Sequence, residues 1–226
     1  MNDKTSTHWK IGSETVLELL LKAAKKNPSK IYCKTFNRTF TYNQIIKSAL
    51  SLARHLNAFS RNRPVALLLQ NSDLFLIAYF AVLFSGRSPA LLNYLLPEKG
   101  LRKILDKLNP SVVLSDKIVE NYETIIVNND YLNVSDNYID LERITDPTKA
   151  NETAAVMFSG GTTGLPKQIN HSNSCLIKMI ERMEWGWPTR ADEKWLVVAP
   201  FTHIYGFLTG VTNPILKAGT IVIQRC

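Results

Sequence analysis

One stretch, Ser159-Gly160-Gly161-Thr162-Thr163-Gly164-Leu165-Pro166-Lys167, limits what this chain can fold into more than any other. The apolar residues 154–158 lead into it and read as a short strand. The amphipathic pattern over 172–187 follows and reads as a helix that stops before Pro188. Glycine tolerates φ > 0 and lets backbone N–H groups come close to a ligand. The hydroxyls of Ser159, Thr162 and Thr163 add donors, and Lys167 adds a point charge of the kind that binds phosphate. Concavities lined by successive N–H groups hold anions. The stretch reads as a cradle for a polyphosphate at the end of a strand.

The common nucleotide pattern G-x-x-x-x-G-K-[ST] places glycine directly before the lysine and a hydroxyl directly after it. Here Leu165-Pro166 intervenes and Gln168 follows. A phosphotransferase of that kind is a poor fit.

A second constellation, Pro200-Phe201-Thr202-His203-Ile204-Tyr205-Gly206, lies some forty residues on, after the apolar run Trp195-Leu196-Val197-Val198-Ala199. A short apolar run ended by proline reads as a buried strand opening into a loop. In open α/β sheets ligands bind outside the carboxyl ends of strands, which places His203 where chemistry is expected. Histidine changes charge near neutral pH and suits a role beside a reacting carboxylate. Tyr205 fits either the lining of a pocket or the core. His171 reads as a cap for the helix that begins near Ser172.

The remaining chain alternates strands and helices. Residues 15–26 carry helical periodicity, 31–35 and 39–41 read as a hairpin, and Thr41 caps a helix over 42–56. Residues 65–70 form a continuous apolar strand, Ser72 caps the next helix and Gly86 stops it. Strands follow at 89–93 and 112–115, with a helix at 101–108 between them. Ser115-Asp116 starts another short helix, and the polar residues 128–151 make a long loop with a helical turn near 139–143. A helix over 207–216 and a strand over 220–224 complete the pattern. The class is α/β: layered parallel or mixed sheets with flanking helices. Residues 1–150 form a first layer and residues 151–226 begin a second that contains the glycine-rich loop.

Composition narrows the function. The 226 residues, 45% apolar and 20% charged, suit a globular domain with a sizeable core. A net charge of +8 favours anionic ligands, while the scattered lysines and arginines argue against nucleic acid. The longest apolar run, residues 74–84, is far short of the roughly 20 residues that span a bilayer. Cys33, Cys175 and Cys226 have neither metal nor disulfide spacing, which points to a reducing cytoplasm. No metal-ligand cluster is visible.

The glycine-rich stretch matches every position of [ST]-[SG]-G-[ST]-T-G-x-P-K, the phosphate-binding signature of the adenylate-forming superfamily of acyl-CoA and aryl-CoA ligases, luciferases and peptide-synthetase adenylation domains. The second constellation resembles that family's P-x-x-H-x-x-G motif, and its His-Ile-Tyr sequence is most similar to the aryl-CoA ligases. Arg38-Thr39-Phe40-Thr41-Tyr42 and the segment from Gly86 to Asp116 resemble earlier stretches in the right order. Gln168 departs from the glycine common after the lysine.

The resemblance implies an N-terminal adenylation domain that activates a carboxylic acid with ATP and Mg²⁺ and passes it to CoA or a carrier thiol. Ser159, Gly160, Gly161, Thr162, Thr163, Gly164 and Lys167 would bind the ATP phosphates. His203 and Lys167 would serve catalysis, and His203 with Tyr205 would line the acid pocket. Family members are longer: a small C-terminal domain supplies a further catalytic lysine, and before it come an aromatic-Gly-x-Thr-Glu segment, whose glutamate helps hold Mg²⁺, a ribose-binding aspartate and a hinge. None of these is recognisable here. The sequence is thus expected to be the N-terminal fragment of such a ligase, inactive alone, with strand 220–224 completed by further sequence or a partner chain. The alternative is an inactive binding or regulatory module derived from one.

Overall fold

The computed structural model describes residues 13–132, 139–159 and 166–224. Helix α1 (Val16–Lys26) starts at Thr15, whose hydroxyl accepts from the Glu18 amide at 3.0 Å. The hairpin β1 (Ile31–Lys34) and β2 (Thr39–Thr41) leads into α2 (Tyr42–Leu56), which opens on a capping box. Thr41 Oγ1 accepts from the Gln44 amide and the Gln44 side chain accepts from the Thr41 amide, satisfying two otherwise orphaned donors.

Strand β3 (Val65–Leu68) is buried on both faces and is followed by α3 (Asp73–Phe84). Helix α3 is apolar all round because neighbours cover every side: α2, the strands beside it, and Phe201 and Phe207 from far along the chain. It ends in a Schellman turn, with the Gly86 and Arg87 amides donating to Leu83 and Val82 carbonyls. Gly86 supplies the φ of +67° that this turn requires. Strand β4 (Pro89–Leu91), helix α4 (Glu98–Leu108), β5 (Val112–Ser115) and β6 (Thr124–Ile126) follow. Next come β7 (Thr153–Ser159), β8 (Lys167–Ser172), α5 (Asn173–Gly186), β9 (Lys194–Val197), the single turn α6 (Ile204–Phe207) and β10 (Thr220–Ile223).

Two sheets result. One has the order β6-β5-β3-β4-β7-β8, parallel except for β8, which runs antiparallel to β7. The other has the order β2-β1-β10-β9, in which β1, β10 and β9 are parallel. Each sheet draws strands from both sides of residue 150, so the expected boundary there does not separate one sheet from the other. Asn173 ties the halves together: its side chain accepts from the Val16 amide and donates to the Lys149 carbonyl, both at 3.0 Å.

Several expected elements differ. No helix starts at Ser115-Asp116; Ser115 ends β5, and the chain turns through Asn121 (φ +67°) into β6, whose β-branched residues pair with β5. Strand β8 carries no apolar alternation and forms through backbone pairing with β7. The expected buried strand at 195–199 is an edge strand, with Leu196 and Val198 exposed. Strand β10 is paired on both sides and needs no further strand. The helix expected over 207–216 begins earlier, at Ile204, and passes through a π turn (Leu208–Thr212) into a 3₁₀ turn (Asn213–Lys217).

Candidate functional site

Strands β7 and β8 form a hairpin, and Ser159 stands directly opposite Lys167 at its open end. Opposed residues in an antiparallel pair have Cβ atoms about 5 Å apart, so the connecting loop leaves and returns through a narrow neck. Ser159 is half-buried and Lys167 is exposed beside that neck. Pro166 has no N–H to extend the ladder, which marks where pairing resumes. Gly160, Gly161, Thr162, Thr163 and Gly164 lie outside the described residues.

The histidine loop leaves the carboxyl end of β9. The His203 amide donates to the Pro200 carbonyl at 3.0 Å, and the Phe207 amide donates to the His203 carbonyl at 2.8 Å, which winds the loop directly into α6. His203 caps that turn with its ring: Nδ1 accepts from the Tyr205 amide at 3.3 Å. A neutral imidazole that accepts at Nδ1 carries its proton on Nε2, so the exposed ring offers a donor. Tyr205 is 55% exposed and therefore not part of the core.

Two glycines make this loop possible. A Cβ on Gly206 would lie 2.2 Å from the Pro200 carbonyl oxygen, and one on Gly210 would lie 2.5 Å from the Phe201 ring. Phe201 is fully buried and meets Phe75 of α3 at 5.0 Å between ring centroids. Asn71, just beyond β3, bonds the backbone of the loop on both sides of Pro200, at Ala199 and at Phe201.

Because β3, β4 and β7 run parallel, Asn71 and Ser159 both lie at the carboxyl ends of strands, at the same end of the six-stranded sheet. Strands β3 and β7 are two strand spacings apart, about 10 Å. Asn71 thus fastens the histidine loop, which springs from the other sheet, to the carboxyl end of the sheet in which β7 ends at Ser159. Gly210 has no sequence signal of its own, and Asn71 could be noticed only as the residue before the Ser72 cap. His171 is not a helix cap; Ser172 fills that place, its hydroxyl accepting from the Cys175 amide at 3.2 Å. His171 instead sits in β8 opposite Ala155, where partial burial lowers its pKa.

The family model described as "AMP-binding enzyme" matches residues 20–226. The chain belongs to the AMP-binding enzyme family. Among curated members of this family, the long-chain-fatty-acid–CoA ligase of Bacillus subtilis (strain 168) is 25% identical over 254 aligned residues, covering 92% of this chain and 45% of the ligase. Gramicidin S synthase 2 of Brevibacillus brevis is 23% identical over 218 residues, covering 94% of this chain and 5% of the synthase. The O-succinylbenzoate coenzyme A synthetase of Bacillus subtilis, solved in complex with AMP, superposes with a TM-score of 0.79 at 22% identity, over 91% of this chain and 55% of that one. The fold is thus that of the N-terminal part of adenylate-forming enzymes, and the chain spans about half or less of the length of these relatives.

Proposed function

We propose that this chain supplies the ATP-phosphate seat and part of the acid pocket of an enzyme that activates a carboxylic acid as its acyl adenylate. In that reaction a carboxylate oxygen attacks the α-phosphorus of ATP, the bond to the bridging oxygen of pyrophosphate breaks, and pyrophosphate leaves. A thiol of CoA or a carrier then attacks the acyl carbon, AMP departs with the bonding pair, and the thiol proton passes to solvent. The observation that carries this reading is the Ser159–Lys167 pair at the open end of the β7–β8 hairpin, at the same carboxyl end of the sheet to which Asn71 fastens the His203 loop.

Ser159, Thr162, Thr163 and Lys167 are assigned to the β- and γ-phosphates, with Gly160, Gly161 and Gly164 allowing close backbone approach. His203 Nε2–H is assigned to an oxygen of the carboxylate or α-phosphate, where a preorganised donor counts most as charge develops. Tyr205, exposed on the same turn, is assigned to the wall of the acid pocket. Mg²⁺ accompanying ATP would neutralise phosphate charge. Among the described residues no group of three or more His, Cys, Asp or Glu is placed to hold a metal. Turnover is assigned to the full-length protein, with these residues inactive alone, and to a cytoplasmic setting. No helix among the described residues is long and apolar enough to cross a membrane.

The test is carboxylate-dependent exchange of pyrophosphate into ATP by the full-length gene product. Lys167→Ala combined with Thr163→Ala is expected to depress exchange about a hundredfold or more, as loss of charge-stabilising donors does elsewhere. Unchanged exchange would refute the assignment.

A further inference from the structure

The side chain of Asn71 grips the backbone of the histidine loop. Its Nδ2 donates to the Ala199 carbonyl and its Oδ1 accepts from the Phe201 amide, each at 2.8 Å. A primary amide presents a donor and an acceptor side by side, as the edge of a strand does, and only one orientation of the amide satisfies both partners. The grip spans Pro200, which has no N–H with which to continue the β9 ladder.

Asn71 is itself held in place. The Ser72 hydroxyl donates to the Gln70 carbonyl at 3.1 Å and accepts from the Phe75 amide at 3.1 Å, fixing the chain on either side. From Asn71 the restraint runs forward to the imidazole. Pro200, in the middle of the grip, accepts from the His203 amide, and the Tyr205 amide orients the ring. Phe201, bonded to Asn71, is also wedged between Phe75 and the bare Gly210 backbone.

We infer that Asn71 is the positioning residue for His203, fixing where its ring stands relative to the carboxyl end of β3; this rests on the role proposed above for His203. Asn71 belongs to the sheet that carries the phosphate loop, whereas His203 belongs to the loop of the other sheet. The amide is therefore a polar joint between the two halves of the site. Small displacements of a reacting group are costly: an error of about 1 Å can cost about a hundredfold in rate.

The experiment is pyrophosphate exchange by the full-length protein with benzoate and with octanoate as probe acids. Asn71→Ala is expected to lower kcat/KM for the acid by about tenfold to a hundredfold and to leave KM for ATP unchanged. Asn71→Asp keeps the acceptor for Phe201, loses the donor to Ala199, and is expected to fall between wild type and Asn71→Ala. Equal losses in the acid and ATP parameters, or no loss in either, would overturn the inference. A wild-type protein inert with both acids would count against the proposed function instead. In that case the joint is read directly. Hydrogen exchange at the Phe201 amide is expected to quicken about tenfold in Asn71→Ala, the loss of one hydrogen bond. The NMR signal of His203 should shift while that of His55 stays. An unchanged Phe201 amide and His203 signal would overturn it.

Discussion

Gly206 shows at the scale of one residue how little freedom the histidine loop has. The space for its Cβ is already taken by the Pro200 carbonyl and the backbone of Ala199. A backbone contact cannot be relieved by rotating a side chain, so Gly206→Ala must shift the turn. Overpacking of this kind costs about 1–3 kcal/mol, and urea unfolding should show a lower midpoint with an unchanged slope. An unmoved midpoint would mean that the turn yields freely. Tyr205 makes the opposite case. Its side chain is exposed, so Tyr205→Ala should leave stability within about 0.5 kcal/mol while raising KM for the acid. Lys167, Ser159 and His203 stand out in sequence as candidates because the chemistry of their neighbourhood is local: glycines, hydroxyls and a cation in one run, and a histidine after a strand-ending proline. Asn71 does not, since its partners are some 130 residues away and an Asn before a helix cap says nothing about them.

Among the elements, those with a strong period or cap were readable. The Thr41 and Ser72 caps, the Gly86 stop and the buried runs of β3, β4 and β5 are set by short-range physics. Strand β8 was not readable, because four exposed polar or solvent-facing positions become a strand only through the backbone of β7. The edge position of β9 was likewise hidden, since a run of apolar residues does not reveal which face is covered.

The end of α5 offers a pH test. Glu184 is buried and accepts from the amide and hydroxyl of Thr189, at 2.9 and 2.7 Å, while pairing with Lys217. Burial by itself would raise its pKa, but the hydrogen bonds from Lys217 and Thr189 and the Lys217 charge outweigh it, and the net shift is downward from the usual 4.5. The folded state then binds fewer protons than the unfolded one just below that value. The group's contribution is fully present above pH 4.5 and is lost as pH falls through the lowered pKa. Glu184→Gln should remove that acid-side slope and cost about 1 kcal/mol at neutral pH, because Lys217 is partly exposed and keeps its bond to the Thr189 carbonyl. A slope unchanged from wild type would show that other carboxylates set the acid limit.

The whole molecule is closed by contacts between distant parts of the chain. Strand β1 pairs with β10, Tyr42 donates to the Gly219 carbonyl at 2.8 Å, and Tyr32 donates to the Val211 carbonyl at 3.0 Å. Ile221 is fully buried in the middle of that sheet, so Ile221→Ala should cost about 2–5 kcal/mol and shift one cooperative transition. Two separate transitions would mean that the sheets unfold independently. The α/β class was evident from the alternation of elements, but the interleaving of the sheets was not. Which strand pairs with which depends on contacts that no local pattern encodes. The proposed function hangs on Lys167, which stands opposite Ser159 at the open end of the β7–β8 hairpin. The most direct measurement is calorimetric titration of the full-length protein with ATP and separately with AMP, in wild type and Lys167→Ala. Lysine bound to the β- and γ-phosphates predicts a loss of about tenfold to a hundredfold in affinity for ATP, the worth of a charged hydrogen bond, and none for AMP. Equal affinities of wild type and variant for ATP, or an equal loss for both nucleotides, would contradict it.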